Sequence, residues 1–136
     1  MSEQTIVVGW MPNQYGRAAV AHALEEAKLR GHRVVVVNAT RGDALVDERY
    51  ADDEDRASLE EQLTASGVPH EIRQSMGADV GDQVVHVAEE LSAALVVIGL
   101  RRRSPVGKLI MGSVAQRILL GAPCPVLAVK PGEPAA

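Results

Sequence analysis

The 136-residue chain contains no phenylalanine, one tryptophan and two tyrosines. A core made from it must therefore be aliphatic, and Val, Leu, Ile and Ala supply it within a 46% apolar composition. The single cysteine, Cys124, excludes an internal disulfide. It also has no Cys or His at ligand spacing, and His22, His32, His70 and His86 are scattered, so no metal centre is expected. There is no excess of positive charge. The net charge of −4 argues against general nucleic-acid binding, which needs a basic face. There is no apolar run of membrane-spanning length and no basic region ahead of the first apolar run, so neither a leader nor a membrane contact is expected. The expectation is a soluble cytoplasmic protein. Its length suits one domain with a real core, and no internal repeat or linker divides it.

What is present alternates. Thr5–Trp10 is a continuous β-branched run that reads as a buried strand. Met11–Gly16 reads as a loop, and Arg17–Arg30 as an amphipathic helix ended by Gly31. Four valines, Val34–Val37, form a second buried strand running on through Asn38 and Ala39. Thr40–Tyr50 shows no period and reads as a loop. Asp52–Ser66 reads as a helix with an acidic start and sparse apolar positions at Ala57, Leu59, Leu63 and Ala65. His70–Gln74 suits an edge strand, Ser75–Gly81 a loop, and Asp82–Ser92 a third helix with Val84, Val85, Val87, Ala88 and Leu91 inward. Leu95–Ile98 and Val126–Val129 complete the strands, with a helix from Ser113 to about Leu120 between them. The tail, 131–136, is expected to be disordered. Strand–helix alternation with right-handed crossovers implies a parallel sheet covered on both faces.

One stretch carries most of the chemistry. The strand Leu95–Ile98 breaks at Gly99 into a loop holding Arg101, Arg102, Arg103, Ser104 and Lys108. A helix then re-forms at Gly112–Ser113, with Ser113 a candidate N-cap. Strand, loop and helix N-terminus form an anion site in many α/β proteins, because free N–H groups and the helix dipole converge on it. Solvated arginines in an ordinary crossover turn account for the same spacing equally well. Cys124, between Pro123 and Pro125, reads as a small packing residue or as a redox-reactive thiol. His86 lies on an apolar helix face and His70 faces solvent; neither suggests a catalyst.

Gly99, Gly112–Ser113 and the following Ala122–Pro123–Cys124–Pro125–Val126 resemble the end of a universal stress protein domain. That family's nucleotide loop reads Gly, two residues, Gly, nine residues, Gly, then Ser or Thr. The spacing is kept, with Arg102 in place of the second glycine. The resemblance runs from Ile6 to Lys130 and implies a single universal stress protein domain over 1–136. It implies a Rossmann-like open sheet of five parallel strands in the order 3-2-1-4-5. Ligands of such sheets sit where strand order reverses, here between strands 1 and 4, with Trp10–Met11 beside Gly99–Arg103.

Carried over from ATP-binding members, the aspartate after strand 1 becomes Met11 and the strand 2 backbone contact falls at Ala39. The loop and helix contacts fall at Gly99, Arg101, Arg102, Gly112, Ser113 and Val114, with Arg103 and Ser104 beside them. Met11 cannot accept a hydrogen bond from a sugar or base, a loss of about 1.5–3 kcal/mol, or roughly 10–100-fold. Arg102 costs about 1–2 kcal/mol if the family backbone has positive φ there, yet it brings a cation and five donors. Trp10 is a candidate to stack on a base or to pack. Two function classes follow. One is a sensor that binds ATP or AMP, with Mg²⁺ accompanying ATP. The other is a dimeric interaction module in which ATP binding is weakened or lost and anion binding kept, and Met11 and Arg102 both favour it. Slow ATP hydrolysis or autophosphorylation, with Ser113 as acceptor, is a third class known in the family. The resemblance also implies a homodimer paired through the last strand, Val126, Leu127, Ala128 and Val129, with a monomer whose tail covers that edge as the alternative.

Overall fold

The computed structural model describes residues 4–40, 53–76, 79–100 and 112–130. Thr40 ends a strand rather than starting the expected loop, and the rest of that loop, the basic segment holding Arg101, Arg102, Arg103 and Ser104, and the tail lie outside the described residues. The elements are β1 (Thr5–Gly9), α1 (Gln14–Arg30), β2 (Arg33–Thr40), α2 (Asp53–Ser66), β3 (His70–Met76), α3 (Val80–Glu90), β4 (Leu95–Gly99), α4 (Ser113–Gly121) and β5 (Val126–Val129). All strand pairs are parallel and the order is β3-β2-β1-β4-β5, as expected.

The β-branched runs at the centre follow from burial on both faces. Ile6, Val8, Val34, Val36 and Val97 pack beneath Ala19, Val20, Ala23, Leu24 and Ala27 of α1 and Leu59 and Leu63 of α2. Their neighbours Val7, Val35, Val37, Val96 and Ile98 pack against Val84, Val85, Val87 and Ala88 of α3 and Ile118 of α4. Because side chains alternate along a strand, each valine run serves both layers at once.

The element ends differ from the sequence expectation where a cap decides them. Asn13 lies extended, and its side chain accepts from the N–H groups of Tyr15 and Gly16, at 3.0 and 3.1 Å. That cap starts α1 at Gln14, so Gln14–Gly16 belong to the helix and not to the loop. Asp79 likewise caps α3 through the N–H of Asp82, at 2.8 Å, and starts it at Val80. Gly112, not Ser113, is the N-cap of α4; Ser113 is its exposed first residue. The β3 strand runs on through Ser75 and Met76 because its pairing with Ala39 and Thr40 continues. Ala57 and Ala65 face outward, Leu91 is half-buried, and His86 is exposed and not on the apolar face.

The two sheet edges are unlike. On the β3 side, Arg33 and Arg73 bracket Glu71, at 3.0 and 2.7 Å, and Arg73 also reaches Glu90 at 3.2 Å. Such charges blunt an edge against pairing. The strand at the other edge reads Val126–Leu127–Ala128–Val129, without a charge. The hydrogen bond from Arg73, with the charges of Arg73 and Arg33, lowers the Glu71 pKa despite partial burial. A carboxylate lowered in the folded state stabilises above its unfolded pKa of about 4.3 and loses that contribution as pH falls through the folded value. Glu71 is half-exposed, so salt screens much of this. The melting temperature of the unmodified protein is expected to drop more between about pH 5 and about pH 3 than that of Glu71→Gln, with the gap shrinking in added salt.

Candidate functional site

The site lies at the carboxyl ends of β1 and β4, where the chain's crossovers change direction across the sheet. Gly9 is in register with Val37 on one side and Ile98 on the other, so the strand ends open together. After them, the N–H of Trp10 donates to the Val37 carbonyl, at 2.9 Å, and that of Leu100 to the Val129 carbonyl, at 2.7 Å.

The first turn of α1 is held against both strand ends by two glycines. A β-carbon on Gly16 would overlap the Met11 carbonyl oxygen and come within 2.7 Å of Trp10 Cδ1. One on Gly99 would overlap the Tyr15 carbonyl and come within 2.8 Å of Tyr15 Cβ. Neither position tolerates a side chain without moving backbone. Between these pieces and the start of α4 lies a cavity of about 260 Å³. Of the residues expected at the site, Trp10, Met11, Ala39, Gly99, Gly112 and Val114 line it. Ser113 heads the adjoining helix, exposed, and is not among the lining residues. Arg101, Arg102, Arg103 and Ser104 lie outside the described residues.

Sequence reasoning missed the wall supplied by the helices. Val80 and Val84 of α3 and Ala115 and Ile118 of α4 line the cavity, with Tyr15 and Gly16 of α1. The signal was there in part: Val80 and Val84 stand one helical turn apart, on the face that meets the sheet.

The described lining is mostly aliphatic and glycine-rich, with Trp10, Met11 and Tyr15 among it, and carries no charged side chain. Such a floor suits a flat apolar body, and the N-terminus of α4 suits an anion. Among the described residues no side chain caps that terminus, and its N-cap, Gly112, has none to offer. Trp10 borders the cavity, but it also belongs to the cluster with Ile6 and Val8 beneath α1, and it is only 6% exposed. Its Nε1 is buried without a hydrogen-bond partner among the described residues. Cys124 is half-buried against the α3 and α4 layer, and burial pushes its thiol pKa up, away from the reactive thiolate. Among the described residues no three His, Cys, Asp or Glu side chains gather as a metal site.

The universal stress protein family matches residues 3–130. The chain belongs to the universal stress protein family. A universal stress protein from Mycolicibacterium smegmatis is 52% identical over 126 residues, 93% of this chain and 97% of the relative. The solved structure of a universal stress protein from Archaeoglobus fulgidus is 32% identical, covers 96% of this chain and 100% of its own, and superposes with a TM-score of 0.72. A structure of the universal stress protein from the same organism in complex with dAMP is 28% identical, with the same coverage and a TM-score of 0.65. No helix among the described residues is long and apolar enough to cross a membrane.

Gly16→Ala is expected to destabilise the fold by about 1–3 kcal/mol or more, measured by urea denaturation. A mirror change at exposed Gly112, where an added β-carbon meets nothing within 4 Å, is expected to cost less, about 0.5–1 kcal/mol for a poorer N-cap.

Proposed function

We propose that this universal stress protein is a dimeric stress-response protein with a divergent adenine-nucleotide or phosphate site in the β1/β4 cleft, and that its ATP affinity is weakened or lost. The observation that carries this reading is Met11. It lines the cleft at the position where the family pattern has an aspartate, and no other described lining residue brings a carboxylate. Among the described lining residues a nucleoside held there meets apolar and aromatic side chains and backbone, and no carboxylate. The phosphate half keeps more: Gly99, Gly112 and the uncapped start of α4 stand together, and Arg101, Arg102 and Ser104 occupy the intervening loop in sequence. Without a carboxylate to hold it, Mg²⁺ would enter only on the phosphates of ATP. The dAMP complex of the 28% identical relative supports a nucleotide as the ligand class.

The second reading is a functional ATP or AMP sensor, possessing slow turnover or autophosphorylation at Ser113 as a further property. The intact cavity favours it over a site filled by side chains. Calorimetric titration with ATP and Mg²⁺ separates the two. On our reading the unmodified protein binds ATP roughly 10–100-fold more weakly than Met11→Asp, which restores the acceptor, and Arg102→Gly adds to the gain. Micromolar ATP binding by the unmodified protein would overturn it and establish the sensor.

Dimerisation is proposed through β5. The strand carries no charge, and Val126, Leu127 and Ala128 are each half-buried. The opposite edge carries the Glu71 ion network. Ala128→Lys is expected to convert a dimer to a monomer in sedimentation equilibrium, whereas Arg73→Ala at the other edge leaves the mass unchanged.

A further inference from the structure

Asn38 is fully buried in β2, directly after four valines. Such a polar group costs stability unless its bonds are made. Its Nδ2 donates to the Trp10 carbonyl, at 3.2 Å. Its Oδ1 accepts from Nε2 of Gln74, also at 3.2 Å. Gln74 stands directly opposite it in the β2–β3 register. The Oε1 of Gln74 accepts in turn from Nη1 of Arg56 on α2, at 2.9 Å. The series therefore runs from a partly exposed guanidinium, across two strands, to the peptide that joins Trp10 to Met11.

The two ends fix its direction. A carbonyl can only accept and a guanidinium can only donate, so both amides between them have a single workable orientation. All three donors point towards Trp10, and such aligned bonds reinforce one another. None of the three side chains lines the cleft. Yet Trp10 and Met11 do, and so do Val37 and Ala39 on either side of Asn38, facing the opposite layer. The Met11 carbonyl is in turn bound by the N–H of Asn13, the cap of α1, at 2.8 Å.

We propose that Asn38, Gln74 and Arg56 are positioning residues for the cleft. They orient the Trp10–Met11 peptide from the far side of the sheet, and so set ligand affinity from a point on the surface of α2. The claim rests on the nucleotide-binding reading for its ligand, though not for its geometry.

The test uses the full chain, AMP as the probe, and three variants. Gln74→Leu removes the middle link at similar size. Gln74→Glu keeps the acceptor for Arg56 but cannot donate to Asn38, so it breaks the direction of the series while keeping the side chain's length. Arg56→Leu lies on a partly exposed helix face and tests the series where folding is least at risk. AMP affinity by calorimetry is expected to fall about 3–10-fold in Gln74→Leu and Gln74→Glu and less in Arg56→Leu. Backbone amide resonances of Met11 and Asn13 are expected to shift in all three without ligand. If the unmodified protein binds AMP and all three variants bind it equally well, the proposal is overturned. If the unmodified protein binds no AMP, the nucleotide reading fails and the amides alone decide. Shifts at Met11 and Asn13 then uphold the positioning role, and unmoved resonances overturn it.

Discussion

The close approach of the first turn of α1 to the ends of β1 and β4 is the constraint on which the site depends. Gly16 lies against the Met11 carbonyl and Trp10, and Gly99 against the Tyr15 backbone. Three elements are thereby locked at positions where neither glycine leaves room for a side chain of its own. The cleft beyond is what remains when a helix start is drawn this close to a strand switch point. The Asn13 cap completes the arrangement, since it fixes where the helix begins and binds back to Met11 through its own N–H. A longer loop or a larger residue at either glycine would separate the strand ends from the helix and dissolve the floor.

Around that lock the sheet is divided by function. The apolar layer beneath α1 and α2 also holds Asn38, Gln74 and Arg56, whose bonds end on the backbone of the cleft. The layer beneath α3 and α4 opens at its carboxyl end, and its valines become the cleft wall. One strand, β2, serves both: Val37 and Ala39 face the cleft while Asn38, between them, faces the polar series. The pleat makes this possible, because adjacent side chains point to opposite faces.

The chemistry of the cleft is uneven. Its described walls can enclose an apolar ring but offer it few side-chain partners, and the uncapped end of α4 can receive an anion. A family fold with an altered residue at a key position keeps its architecture, because the packing that builds the cleft does not use that residue's polarity. Met11 contributes its backbone to the lock with Gly16 whatever its side chain is. Affinity and fold are therefore separable here, as they are wherever a site is carried on a scaffold.

The sequence by itself determined the layers and their order of appearance. Runs such as Val34–Val37 can be stable only between two apolar layers, and the spacing from Gly99 to Gly112–Ser113 identified the loop-to-helix passage of a known family. Element ends were less legible, because Asn13 and Asp79 act through single side-chain bonds that leave no period in the sequence. Part of the cleft wall was hidden for a related reason: Val80 read as part of a loop and Val84 as an ordinary core residue, until the sheet brings them to one opening with Ile118. Only the tertiary structure decided that Gly16 is a contact and not a spacer. Only it placed Asn38, Gln74 and Arg56, far apart in the chain, in one hydrogen-bonded row. Local pattern records which face a residue takes; which partners meet it there is set by strand register and helix docking, and those exist only once the chain has folded.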